Sequence, residues 1–146
     1  SEVFLGGRVY FCEHGTPELV WRSEWQAQTN ATVSIPEFVV ASSKPDSEAK
    51  DFAKLLNGEN EKNQVAFDGG AVTVLSEAQY GERYGALTPS LDGRVSIFGA
   101  LVLRTTDRDA LNNMLSVGID GAESQIEGVR TLVRVSQFDA LIEFID

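Results

Sequence analysis

Glu143 stands inside the apolar run Ala140-Leu141-Ile142-Glu143-Phe144-Ile145. Side chains of a strand alternate between its faces, so Leu141, Glu143 and Ile145 share one face while Ile142 and Phe144 share the other. On an apolar, buried face the carboxylate is poorly solvated, which raises a carboxyl pKa and suits the group to proton transfer. The competing reading pairs Glu143 with Arg130 or Arg134 across a sheet, or turns it to water, and the residues alone leave both open. His14, the single histidine, is the second catalytic candidate, because a neutral imidazole can act as a base near pH 7. Its position before Gly15-Thr16-Pro17 also fits a loop-capping or surface residue.

His14 lies in a cluster with Glu13, Glu18, Trp21, Arg22, Glu24 and Trp25. Trp21 and Trp25 are four apart and would share a face on a helix. They either pack an N-terminal arm onto a sheet or form an aromatic wall for a planar ligand. Glu18 joins them as a binding candidate. Cys12 has no nearby lysine or second cysteine to lower its pKa and reads as a buried core residue. Asp68-Gly69-Gly70 is a turn and not a phosphate cradle, since no Gly-Lys-Ser/Thr follows. Neither a Gly-x-Ser-x-Gly elbow nor a His-Glu-x-x-His helix occurs.

The elements that must position these groups fall into two similar passes. Gly7 to His14 reads as a strand, and Pro17 to Trp25 as a short helix or irregular turn with Thr16 as N-cap. Glu37 to Ser42 is a buried-strand run. Asp46 to Asn57 carries an apolar helical face (Ala49, Phe52, Ala53, Leu55, Leu56), and Gly58 supplies a left-handed C-cap. Gln64–Phe67 and Ala71–Leu75 flank the Asp68-Gly69-Gly70 hairpin turn. Glu77 to Tyr84 is a short helix, and Thr88 to Arg94 a linker. The order then returns: a strand at Ile97 to Arg104, a helix at Asp107 to Val117 stopped by Gly118, and strands at Gly128 to Val135 and Ala140 to Ile145. Leu55 and Leu115 match in position, as do Gly58 and Gly118, which suggests duplication of a strand–helix–strand–strand unit.

The chain has 146 residues, 42% of them hydrophobic and 23% charged. That is one ordinary folded domain over 1–146, comprising an arm (1–35) and two modules (36–87 and 95–146). One cysteine precludes an intrachain disulfide and fits a reducing compartment. No apolar run approaches bilayer length and Ser1 to Gly7 carries no secretion signal, so a cytoplasmic protein without membrane contact is expected. A net charge of −10 argues against nucleic-acid binding and for solubility.

Two residue patterns carry a family resemblance. Ala49-x-x-Phe52-x-x-Leu55-Leu56-Asn57-Gly58 and Leu111-x-x-x-Leu115 with Gly118 are similar to the module helix ends of the vicinal oxygen chelate superfamily, which includes glyoxalase I, bleomycin-resistance proteins and extradiol dioxygenases. The run Val9 to Gln26 resembles a segment that opens the C-terminal half of longer glyoxalase-like domain proteins. The resemblance implies an α+β fold whose two modules curl a mixed sheet around a pocket that binds a small organic molecule. Gln28-Thr29-Asn30 replaces a His-Pro-Asn common in such relatives, which makes Gln28 a ligand-binding candidate, and Arg130 is another.

Metal-dependent relatives place ligands on the first and last strands of each module. Those positions fall here at Glu37 or Phe38, Gly99 or Ala100, near Thr73, and at Glu143. With one good ligand, no metal and no other cofactor is expected, although a divalent ion is compatible with the fold. The functional expectation is metal-independent isomerase or lyase chemistry on a small molecule. Two alternatives are non-catalytic drug or metabolite sequestration and a structural dimerisation module, the latter forming a homodimer.

Overall fold

The computed structural model describes Gly7, Val9, residues 12–26 and residues 29–146. The arm contains α1 (Pro17–Val20) and a 3-10 turn (Ser23–Trp25), neither with a buried residue. Of the two readings of Pro17 to Trp25 the irregular one holds, with the helical turns interrupted at Trp21 and Arg22. The Thr16 side chain makes no capping hydrogen bond, and a short helix without a packed face has nothing to offset its nucleation cost. Of the strand expected at Gly7 to His14, the described residues Gly7, Val9 and 12–14 are in no strand. The rest of that segment lies outside the described residues. Cys12 is exposed, not a core residue.

The first module runs β1 (Thr32–Ser42), α2 (Pro45–Leu56), β2 (Glu59–Glu61), β3 (Gln64–Phe67) and β4 (Gly70–Leu75). A connector follows with α3 (Glu77–Tyr84) and a 3-10 turn at Gly85–Leu87. The second module runs β5 (Ser96–Thr105), α4 (Arg108–Ser116), β6 (Ala122–Glu127), β7 (Arg130–Val135) and β8 (Ala140–Ile145). All eight strands form one curved mixed sheet in the order β2-β3-β4-β1-β5-β8-β7-β6. β1 and β5 pair antiparallel at its centre, while β4 and β8 lie parallel to β1 and β5 respectively.

Each module carries one strand more than the sequence reading supplied. Both additional strands, β2 and β6, are sheet edges of largely exposed polar residues. They lack the apolar alternation that marks a half-buried strand.

The helix ends also differ. Asn57, not Gly58, takes the left-handed conformation after α2, at φ 49°. Gly58 is required for space instead: a Cβ there would lie 2.3 Å from the Ala66 carbonyl oxygen. Gly118 does adopt positive φ, at 80°. The two matching glycines therefore solve different problems.

The sheet is packed on both faces. On one, Ala49 and Phe52 of α2 meet Val40, Val65, Val72 and Val74, and Leu111 of α4 meets Val133 and Phe144. On the other, Tyr80 and Tyr84 of α3, with Leu87 and Leu91, cover Val39, Ala41, Ala100, Val102, Leu132 and Leu141. Burying an aromatic ring of this size contributes about 2–3 kcal/mol, so α3 is a main component of the core.

A local motif confirms how the modules superpose. Ser42 Oγ accepts from the Lys44 N–H at 3.0 Å, and Thr105 Oγ1 accepts from the Asp107 N–H at 3.3 Å. Each hydroxyl turns the end of a first strand into its helix. Counting back from Ser42 and Thr105 makes Glu37 equivalent to Ala100 and Val39 to Val102. Because Val39 pairs with Thr73 and Val102 with Glu143, Thr73 and Glu143 are equivalent as well. None of the described helices is long and apolar enough to cross a membrane.

Candidate functional site

Glu37, on the first strand of one module, and Glu143, on the last strand of the other, converge on Arg83 from α3. Arg83 Nη1 and Nη2 donate to the Glu37 carboxylate, both at 2.9 Å. Its Nε and Nη2 donate to Glu143 Oε2 at 3.2 and 2.8 Å. The Tyr84 hydroxyl donates to the same oxygen at 3.0 Å, and Arg130 Nη1 reaches Glu143 Oε1 at 3.4 Å. Arg130 is itself held by Glu127, and its Nη2 donates to the Arg83 carbonyl at 2.7 Å. Glu143 is buried, at 5% exposure.

The local sequence explains how α3 delivers Arg83. Ser76 caps the helix in a reciprocal capping box with Gln79. Tyr80, three residues before Arg83, is buried, and its hydroxyl donates to the Gly99 carbonyl at 2.7 Å. Tyr84 is buried beside it, the two rings meeting edge to face at 5.2 Å. With both rings fixed on the sheet, the intervening guanidinium has one direction to point.

The electrostatics follow from the geometry. Burial pushes the Glu37 carboxyl up, but the Arg83 hydrogen bonds, one from Thr73 and the Arg83 charge hold it below the usual carboxylate range. Burial works against the Arg83 charge. The Glu37 hydrogen bond and the charges of Glu37 and Glu143 outweigh it, so Arg83 is even harder to deprotonate than usual. Burial raises the Tyr80 and Tyr84 phenols well above their ordinary value, leaving both as neutral donors.

A divalent ion of the kind the resemblance brings with it does not fit these residues. The four equivalent positions hold Glu37, Ala100, Thr73 and Glu143: two carboxylates, a hydroxyl and a methyl group. Arg83 already engages both carboxylates, and no group of three or more His, Cys, Asp or Glu suited to a metal occurs among the described residues.

The structure thus places Glu143 on the sheet face covered by α3 and brings Arg130 beside it. Glu143 faces inward and is ion-paired with Arg130, as the competing reading had it, while Arg134 pairs with Asp139 instead. The partner that reasoning from sequence missed is Arg83, in the connector.

Trp21 and Trp25 lie elsewhere. They line a groove of about 550 Å³ between the arm and the outer end of β1. Its apolar walls are Val20, Trp21, Trp25, Val33 and Ile35, and its polar groups include Arg22 and Gln26. The Arg22 guanidinium sits 4.8 Å from the Trp25 ring and pairs with Glu24. Gln26 Nε2 donates to the Trp21 carbonyl at 3.3 Å. His14 is exposed and meets Trp21 edge to face at 6.0 Å, outside the groove's lining. Glu18, on α1, is exposed and also outside it. Gln28 lies outside the described residues. His14 and Glu143 thus belong to different places in the fold.

No known family profile matches the sequence, and no curated protein does. Among solved structures, methylmalonyl-CoA epimerase from Mycobacterium tuberculosis is similar, with a TM-score of 0.56 at 14% identity over 85% of this chain and 94% of that one. A variant of the Streptomyces coelicolor methylmalonyl-CoA epimerase, in complex with 2-nitronate-propionyl-CoA, is matched at a TM-score of 0.43 and 15% identity over 77% of this chain and 95% of that one. At such identity the likeness is one of fold. The chain has the glyoxalase-like, vicinal oxygen chelate fold.

Proposed function

We propose that the protein binds a small, planar, largely apolar organic molecule in the groove between the Trp21/Trp25 arm and β1, as a carrier or sequestering protein on a glyoxalase-like fold. The observation that carries this reading is the groove itself: two tryptophans and three aliphatic side chains around about 550 Å³, with a few polar groups at the margin. That is the size and chemistry of a small-molecule site. The face of the sheet expected to form a binding cup is covered by α3 instead.

Both tryptophans of the chain line the groove, so its occupation should change the intrinsic fluorescence. Titration with anilinonaphthalene sulfonate, an apolar aromatic probe, is expected to give saturable, one-to-one quenching. Trp21→Ala and Trp25→Ala should each weaken it about tenfold, corresponding to roughly 1.4 kcal/mol. Quenching that never saturates, or an affinity indifferent to both substitutions, would sink the reading.

A second reading is metal-independent isomerase or lyase chemistry with Glu143 as acid or base. It is supported by the burial of Glu143 beside the Tyr84 hydroxyl, and it requires α3 to draw Arg83 away. A turnover lost in Glu143→Gln, with probe binding intact, would select this alternative.

A further inference from the structure

We propose that this chain has exchanged the metal ion of its fold for an internal guanidinium, so that Arg83 occupies the centre between the modules and excludes a divalent cation from it. The inference is independent of the tryptophan groove. It rests first on position. Glu37 and Thr73 of one module, and Ala100 and Glu143 of the other, are related by the shared register of the two halves. Arg83 Nη2 contacts both carboxylates at once, 2.9 Å from Glu37 and 2.8 Å from Glu143. A single cation therefore already bridges the two modules.

Charge leads to the same assignment. Arg130, the other cation at this centre, is shared with Glu127 and stands 3.4 Å from Glu143. It does not also neutralise Glu37. Without Arg83, two largely buried carboxylates and the Thr73 hydroxyl would face the volume left by a guanidinium. Oxygen donors of that kind suit a hard divalent ion that keeps several of its waters. The fixed placement of Arg83 by Tyr80, Tyr84 and the Ser76 cap makes this guanidinium a structural replacement and not a loosely held side chain.

The test uses the full chain and manganous ion, whose free form is counted by electron paramagnetic resonance. Wild-type protein should take up no stoichiometric ion at this centre. Arg83→Ala should bind one manganous ion per chain, at least about tenfold more tightly than wild type. Its melting temperature should rise with manganous concentration, because a ligand selective for the folded state stabilises it. Adding Glu37→Gln and Glu143→Gln to Arg83→Ala should abolish both effects.

Stoichiometric binding to wild type that Glu143→Gln removes would overturn the proposal. So would a folded Arg83→Ala protein that binds nothing, or one whose binding ignores the two carboxylates. If Arg83→Ala is unfolded without metal, recovery of its far-ultraviolet circular dichroism on adding manganous ion supports the exchange. Failure to recover, while Arg83→Lys folds, refutes it.

Discussion

All three guanidinium nitrogens of Arg83 donate to carboxylates drawn from different modules. Removing one partner of such a buried cluster leaves the others uncompensated, which typically costs 3–5 kcal/mol. Arg83→Ala, in chelator, should therefore lower unfolding stability by about that much in a urea titration. The depressed Glu37 carboxyl adds a pH dependence. Its contribution is fully present above the unfolded value near 4.5 and is lost as pH falls through the lower folded value. Stability should thus decline on acidification below about pH 4.5, and Glu37→Gln should flatten that decline. An unchanged slope in the variant would show that other carboxylates dominate. At this scale Glu143 was readable in the sequence, because a lone charge in an alternating apolar strand declares its face. Arg83 was not. It stands in Glu77-Ala-Gln-Tyr-Gly-Glu-Arg-Tyr84, a polar stretch in which nothing local says which charge turns inward.

Among the elements, α3 is the one whose sequence and role differ most. Its span was evident from Glu77 to Tyr84, yet the sequence assigned it no part in the core. The tyrosines decide otherwise, since their rings are buried and their hydroxyls find partners at Gly99 and Glu143. Two predictions belong here. Ser76→Ala removes a reciprocal cap and should cost about 1 kcal/mol, measured by chemical unfolding. Gly99→Ala would place a Cβ 2.9 Å from the Tyr80 ring, so a loss of about 1–3 kcal/mol from overpacking is expected. A neutral Gly99→Ala would mean that α3 sits less tightly than described. The apolar strands and both long helices were legible because each buries one regular stripe. The edges β2 and β6 were not, since their pairing is set by neighbouring backbone and not by buried side chains.

Across the whole molecule, burial is unevenly shared. The described arm residues of α1 and the following turn bury no side chain, while α3 and the sheet hold the largest buried groups. Both tryptophans belong to the arm, at 64% and 59% exposure. Fluorescence therefore reports the arm, whereas far-ultraviolet circular dichroism reports the sheet. The fluorescence transition should precede the dichroism transition in urea, because segments with few buried contacts open first. Coincident curves would show the arm to be part of the cooperative unit. The two-module plan was visible in the repeated order of elements. That the second face of the sheet is covered as well was not, because that depends on where a connector folds.

The register between the halves also bears on history. Rotating one module onto the other exchanges Glu37 with Ala100 and Thr73 with Glu143, so the carboxylates are not mates of each other. Two identical modules would place carboxylates in matched pairs about the axis and bring two copies of α3 to a face that one already fills. An off-axis centre of this kind has no counterpart in an ancestor made of two equal subunits.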